Sequence, residues 1–316
     1  MSTAIYGLEN LDPKPHLKIW MNGQLVPVDQ ARISVFDHGL LYGDGVFEGI
    51  RSYNGRIFEC EAHVHRLFNS AKALKLKIPF TEEQVAAGMY EAMAANGHMG
   101  PDKDCYLRVV VTRGVGLLGI SPLRAWKPTL YIIADTILMY PREMYEKGMP
   151  VVVSSFTRNH SNAMPPSIKS LNYLNNILAK LDAIEHGFPE AIMLNHMGYV
   201  SEATGDNIFL VRDGQLQTPP TSAGILEGIT RSTVIRLARE MGIETVEKEI
   251  VRTNLYYADE IFLTGTGAEI IGVREVDRRP VGDGGVGPLT RRLMDAYQKH
   301  VRSAAVSAQL PSGVRV

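Results

Sequence analysis

Strand-like and helix-like patterns alternate along this 316-residue chain until one stretch, Leu138–Gly148, breaks them. The stretch contains Pro141, which fixes its own φ and has no N–H to give to a ladder. A break there leaves two segments, each within the usual range for one domain. The division read from it is a small α/β domain over residues 1–135, a linker over 136–148 and a large domain over 149–316. Length supports it, since at roughly 150 residues per domain a chain of this size holds about two.

Before the break, Lys18–Met21 and Gln24–Val28 flank Asn22-Gly23, and Val46–Tyr53 and Arg56–Glu59 flank Asn54-Gly55. Both dipeptides tolerate positive φ at the two central positions of a hairpin turn. Val64, Leu67, Ala71 and Leu74 recur at helical spacing within Ala62–Lys77. Thr81 followed by Gln84 is a capping-box pattern that opens a helix to about Asn96. Tyr106–Thr112 and Thr129–Ala134 read as strands. After the break the strand patterns are Pro150–Ser155, Ala191–Asn195, Ile208–Arg212, Gln215–Thr218 and Glu260–Thr264. Helical patterns span Asn172–His186, Thr230–Met241 and Leu289–Val301. The tail, Ser303–Val316, is expected to fray.

The 33 basic and 34 acidic side chains leave a formal charge of -1, which argues against a large polyanion as partner. Two cysteines, Cys60 and Cys105, make neither a disulfide framework nor a cysteine-rich zinc site. Residues 1–18 contain no apolar run of signal-peptide type. The most apolar stretches, such as Leu130–Ala134 and Val151–Val153, are far too short to span a bilayer. A cytoplasmic protein that handles small molecules is the expectation.

Gly114-Val115-Gly116-Leu117-Leu118-Gly119 matches the dinucleotide-binding pattern GxGxxG. That site needs a helix directly after the glycines, and Pro122 and Pro128 leave no room for one. A flexible glycine loop is expected instead. His63 and His65, two residues apart on a helix, point to different sides, and no metal site is expected.

The second half holds the chemistry. Lys169 stands among small and apolar neighbours in Pro165–Tyr173. A desolvated lysine can attack a carbonyl, although a lysine alone is more often a snorkelling surface residue. Glu202 lies in Ser201–Asn207, where it would face a cationic heterocycle or be an ordinary loop acid. Gly228-Ile229-Thr230-Arg231 opens a helix and Thr264-Gly265-Thr266-Gly267 follows a strand. Both offer free N–H groups to phosphate, and both also serve plain capping and turn formation. A lysine, an acid and two phosphate-type loops are the parts of a pyridoxal phosphate site.

These residues, in this order, resemble the branched-chain amino acid aminotransferases of the class IV aminotransferase family. The likeness extends from about Ile19 to Ala296. Its most specific piece is Asp37–Arg51. His65-Arg66-Leu67, Tyr106-Leu107-Arg108, Lys169 with Asn172-Tyr173, Ser201-Glu202, Gly228–Arg231 and Gly265-Thr266 follow.

The resemblance implies the two-domain fold type IV architecture, of α/β (α+β) class, with pyridoxal 5'-phosphate between the domains. It implies that Lys169 forms the Schiff base and moves the proton between substrate and cofactor. Glu202 would pair with the ring nitrogen and Tyr173 with the ring hydroxyl. Arg66, Ile229, Thr230, Gly265 and Thr266 would hold the phosphate.

For the substrate it implies an apolar pocket of Tyr42, Phe47, Gly49 and Tyr106. Arg108 would take a second carboxylate, and the Thr266-Gly267 turn the α-carboxylate; the family pattern has alanine where Gly267 stands. The loop Gly114–Ile120 would reach a neighbouring subunit, making the protein a homodimer or higher homo-oligomer. The implied reaction moves the amino group of L-leucine, L-isoleucine or L-valine to 2-oxoglutarate. Alternatives on the same fold are a D-amino acid or (R)-amine transaminase or an aminodeoxychorismate lyase. From other classes come an NAD-dependent oxidoreductase and a non-catalytic binding protein.

Overall fold

The computed structural model describes residues 16–303 and comprises two compact units. The amino-terminal unit holds residues 16–137, Ile168–Asn172 and residues 301–303. The carboxy-terminal unit holds Leu138–Ser167 and Tyr173–His300.

Strands β1 (Lys18–Met21), β2 (Gln24–Pro27), β3 (Gly45–Tyr53), β4 (Arg56–Ile57), β5 (Cys105–Gly116) and β6 (Ala125–Asp135) build the amino-terminal sheet. Their order is β2-β1-β6-β5-β3-β4, and every pair is antiparallel. Both Asn-Gly turns form as expected, with Asn22 and Gly23 at φ 50° and 91°, and Asn54 and Gly55 at 52° and 75°. Helix α1 (His38–Tyr42) precedes β3, and α2 (Cys60–Ala73) and α3 (Glu82–Ala95) follow β4. The Thr81–Gln84 capping box is formed at α3.

Strand alternation sorts the residues of this unit. Val46 and Ile50 of β3, with Leu107, Val109 and Val111 of β5, pack against Val64, Leu67, Val85 and Met89 of the helices. The opposite parity, Phe47, Gly49 and Arg51, stands across from Val110, Arg108 and Tyr106.

In the carboxy-terminal unit α4 (Arg142–Lys147) precedes β7 (Met149–Val153), and α5 (Leu174–Glu185) precedes β8 (Glu190–Leu194). Then come β9 (Val200–Ala203), β10 (Asn207–Arg212), β11 (Gln215–Thr218), α6 (Ile229–Glu240) and β12 (Thr245–Glu247). Strands β13 (Glu260–Gly265), β14 (Glu269–Val276) and β15 (Arg279–Pro280) lead to α7 (Pro288–Val301). The nine strands run β12-β11-β10-β13-β14-β7-β8-β9, with β15 on β14. The β11–β12, β14–β7 and β7–β8 pairs are parallel and the rest antiparallel. Their buried face carries Val151, Ile192, Ile208, Leu210, Ile261 and Leu263.

Three features differ from the sequence reading. Residues 138–148 are not a free linker. Tyr140 is buried with its hydroxyl bonded to Glu190, and α4 packs on β14. Pro141 is the N-cap of α4, a place where its missing N–H costs little. Second, Ile168–Asn172 falls in the amino-terminal unit, so the large domain read as 149–316 lacks its own Lys169. Third, the first glycines of the GxGxxG stretch lie inside β5, and a 3-10 turn at Pro122–Arg124 leads to β6. Gly114 and Gly116 thus belong to a paired strand, where a flexible loop was the expectation. A Cβ on Gly114 would fall 1.6 Å from the Lys127 carbonyl oxygen, so glycine is required by this close strand pairing.

Candidate active site

In the amino-terminal unit Lys169 is fastened by its backbone. Phe47 donates its N–H to the Lys169 carbonyl at 3.0 Å, and Leu171 donates to Gly45 O at 3.0 Å. Ser170 bridges Val46, and the Asn172 amide donates to Gly43 O at 2.9 Å. The segment therefore continues the sheet beside β3, which fixes where the lysine starts. Its Nζ lies 4.6 Å from the centre of the Phe47 ring, a cation–π distance.

Beneath it is a buried ionic group that the sequence reading missed. Glu48 has no exposure, although its strand neighbours Val46 and Ile50 are core residues. Arg66 donates Nε to Glu48 Oε1 at 2.7 Å and Nη2 to Oε2 at 2.8 Å. His63 Nδ1 lies 2.8 Å from Oε2. Burial raises the Glu48 pKa, but the Arg66 charge and the His63 hydrogen bond outweigh it and bring it from 4.5 to about 2. His63 is pushed below its usual value by burial, with Glu48 opposing and the Arg66 and Lys169 charges assisting. His63 and Arg66 are three residues apart on α2, hence on one face. His65 is exposed. The signal in the sequence was an acid at a core-parity position of β3.

The expected substrate residues Phe47, Gly49, Tyr106 and Arg108 come together on the other face of the same sheet. Arg108 stacks 4.6 Å over Phe47 and donates Nη2 to the Tyr106 hydroxyl at 3.1 Å. A Cβ on Gly49 would sit 2.0 Å from that hydroxyl, so only glycine leaves Tyr106 its place. Tyr42 lies apart from this cluster in its bonding. Its hydroxyl accepts from Gly119 N at 2.8 Å, and its ring meets His38 edge-on at 5.1 Å. Asp37 caps α1 and accepts from Thr112, tying the helix to β5. Around this hairpin end Ile120, Leu123 and Trp126 are 86%, 94% and 63% exposed, an apolar patch on the unit's surface.

The carboxy-terminal unit gathers Glu202, Gly228 to Thr230 and Gly265 to Thr266 around the turn Asp206-Asn207. Asn207 donates to Glu202 Oε2 at 3.1 Å and to Leu226 O at 2.9 Å. A Cβ on Gly228 would reach 1.9 Å from Asn207 Oδ1, and one on Gly265 2.0 Å from Asp206 Oδ1. Glycine at each is therefore a requirement of close approach. Helix α6 begins at Gly228 with no side-chain cap and no acid in its first turn. Its first N–H groups and its dipole suit a phosphate. Thr230 is buried at this end.

Glu202 is buried, with Oε1 held by Arg158 Nε at 3.0 Å and Nη2 at 2.9 Å. Leu226 N donates to Oε2 at 3.0 Å. Arg158 is a second residue the sequence reading missed, because its partner lies 44 positions away. Tyr173 is the N-cap residue of α5 and half-buried. At the β13–β14 turn, a Cβ on Gly267 would meet the Met139 sulfur at 3.0 Å, so a flexible side chain fills the space an alanine methyl would take. Among the described residues no cluster of three or more His, Cys, Asp or Glu is arranged to hold a metal ion, and no helix is long and apolar enough to cross a membrane.

Known proteins resemble this chain over most of its length. A Methanocaldococcus jannaschii protein is 46% identical over 282 residues, covering 89% of this chain and 96% of that one. The branched-chain-amino-acid aminotransferase of Pseudomonas aeruginosa is 39% identical over 292 residues, covering 88% and 91%. The solved branched-chain amino acid aminotransferase of Thermobaculum terrenum, in its PLP-bound holo-form, superposes with a TM-score of 0.84 at 34% identity, covering 93% and 97%. The Escherichia coli branched-chain amino acid aminotransferase does so with a TM-score of 0.86 at 36% identity, covering 90% and 94%. The family model for class IV amino-transferases matches residues 45–276, from the first residue of β3 to the last of β14, and the chain belongs to that family.

Proposed function

We propose that the protein is a branched-chain amino acid transaminase that uses pyridoxal 5'-phosphate and 2-oxoglutarate. The observation that carries this is the Phe47–Gly49–Tyr106–Arg108 cluster, an aromatic surface with one fixed guanidinium. Aromatic faces suit a branched aliphatic side chain, and the guanidinium suits the second carboxylate of glutamate. The close relatives named as branched-chain aminotransferases support the same reading.

The residues fit the cofactor. The start of α6, with no side-chain cap and no acid in its first turn, suits a phosphate at Ile229 and Thr230, and the turn after β13 is assigned the same role at Gly265 and Thr266. Arg66 adds a guanidinium whose direction Glu48 sets. Glu202, an acid fixed by four hydrogen bonds from Arg158, Asn207 and Leu226, suits a protonated ring nitrogen. Tyr173 is assigned to the ring hydroxyl. When bound, pyridoxal phosphate supplies an aldehyde that takes up the amino group and a ring that accepts the electron pair. Lys169 holds the cofactor through its amine and moves the proton at the substrate Cα. Thr266 and Gly267 take the α-carboxylate, and Tyr42 closes the apolar pocket.

A homodimer belongs to this reading. The exposed Ile120, Leu123 and Trp126 make an apolar surface that a second copy covers. A soluble protein of the cytoplasm is the setting in which such an enzyme meets its 2-oxo acid.

Initial rates with L-leucine, D-alanine and an (R)-amine, each with 2-oxoglutarate, test the assignment. L-leucine is expected to be the preferred donor. Preference for either of the others would move the protein to a sister activity on the same fold.

A further inference from the structure

Away from the residues assigned above, the carboxy-terminal unit buries a second carboxylate. Glu190, at the start of β8, is 1% exposed. Its Oε1 accepts from Ala191 N at 2.9 Å, Thr204 N at 3.0 Å and the Thr204 hydroxyl. Its Oε2 accepts from the Tyr140 hydroxyl at 3.0 Å and from Lys180 Nζ at 2.7 Å. Thr204 N also leans on Ala191 O at 3.2 Å.

Thr204 stands two residues from Glu202, and a second route returns from it to that acid. The Thr204 carbonyl accepts from Asn176 Nδ2 at 2.8 Å, and Asn176 Oδ1 accepts from Arg158 Nη1 at 3.3 Å. Arg158 grips Glu202. Backbone and side chains thus close a ring, Glu202–Thr204–Asn176–Arg158, and Glu190 anchors it at Thr204. Stability alone does not account for Glu190. A buried ion pair exchanged for apolar residues of like size is often neutral or stabilising. What an apolar pair would lack is an oxygen that accepts twice from Thr204, from its N–H and from its hydroxyl, and so sets where Thr204 sits.

We propose that Glu190 is a positioning residue for Glu202. It orients the acid by pinning Thr204, and it ties the same point to Tyr140 in the segment that carries Met139 against Gly267. The inference rests on the transaminase reading for the role of Glu202. Burial opposes ionisation of Glu190, but the Lys180 charge and the hydrogen bonds prevail and hold its pKa below the usual value.

The test is Glu190→Gln in the purified, yellow protein. The amide can still accept from Thr204 only by turning its NH2 toward Lys180, which has no acceptor, and toward Tyr140, whose hydroxyl must reverse to accept. The expected result is a kcat for L-leucine lower by between about 10- and 100-fold, as for a misplaced group, with KM within about twofold. The pH midpoint of the visible band shifts, and amide exchange at residues 202–207 speeds up. Glu190→Gln with Lys180→Met recovers part of kcat. Thr204→Val, which keeps Glu190 and removes one of its donors, moves kcat and the band in the same direction by less. A lower melting temperature with kcat, band and exchange unchanged would overturn the positioning role alone. A wild-type protein that is colourless and inert to L-leucine would overturn the transaminase reading and this inference with it.

Discussion

Glu48 holds Arg66 by both carboxylate oxygens, 2.7 Å to Nε and 2.8 Å to Nη2. A planar fork met by a planar carboxylate fixes direction as well as charge. An arginine aimed in this way suits the phosphate contact proposed for it. Glu48→Gln is expected to cut one arm of the fork and leave His63 with a poorer partner. The cofactor off-rate, followed by loss of the visible band on dialysis, should rise on the order of tenfold, the cost of one charge-assisted contact. An unchanged off-rate would separate Arg66 from phosphate binding.

The same pair makes stability depend on acid. Folded Glu48 takes its proton near pH 2, and the unfolded carboxyl near 4.5. Its contribution is therefore complete above pH 4.5 and disappears as pH falls through 2, a loss of about 3 kcal/mol. His63, also pushed down in the fold, acts in the same direction from its ordinary range downward. Urea midpoints measured from pH 7 to pH 3 should fall steeply for the wild type. The slope should be shallower for Glu48→Gln.

Gly49 and Tyr106 exclude one another's growth. Gly49→Ala places a methyl 2.0 Å from the Tyr106 hydroxyl, which must move and take Arg108 with it. The overpacking should cost about 1–3 kcal/mol of stability and raise KM for 2-oxoglutarate more than KM for L-leucine. Tyr106→Phe in the same chain removes the clashing oxygen and should recover part of the stability. Equal effects on both KM values would detach Arg108 from the second carboxylate.

Leu123 at 94% exposure and Ile120 at 86% cannot be core residues of this unit. Leu123→Asp should weaken self-association by about 2 kcal/mol, roughly thirtyfold, if a second copy covers the patch. Sedimentation across a concentration series would show it. A monomeric wild type would show that no second copy covers this patch.

Much of this fold was legible in the chain. The two Asn-Gly turns announced their hairpins because few other residues accept two positive φ angles in succession. Helix α2 showed its buried face through spacing, and α3 showed its start through the Thr81–Gln84 capping box. The segment 138–148 was misread because α4 has only six residues, too few for a period, and because proline looks like a break when it stands at an N-cap. Glu48, Arg158 and Glu190 escaped notice for another reason. Arg66 lies 18 positions from Glu48, Glu202 lies 44 from Arg158, and Lys180, Thr204 and Tyr140 lie 10, 14 and 50 from Glu190, and nothing local marks such pairs. The roles given to Lys169, Arg66 and Glu202 came from resemblance, since each alone also suits a surface or loop residue.

Lys169 and Glu202 are proposed to serve an amino-group transfer from L-leucine. The direct measurement is a visible spectrum of the purified protein mixed with L-leucine alone, then with 2-oxoglutarate. The band should disappear with the amino acid and return with the oxo acid, and Lys169→Ala should show no such cycle. A band that ignores L-leucine, or a full cycle in Lys169→Ala, would contradict it.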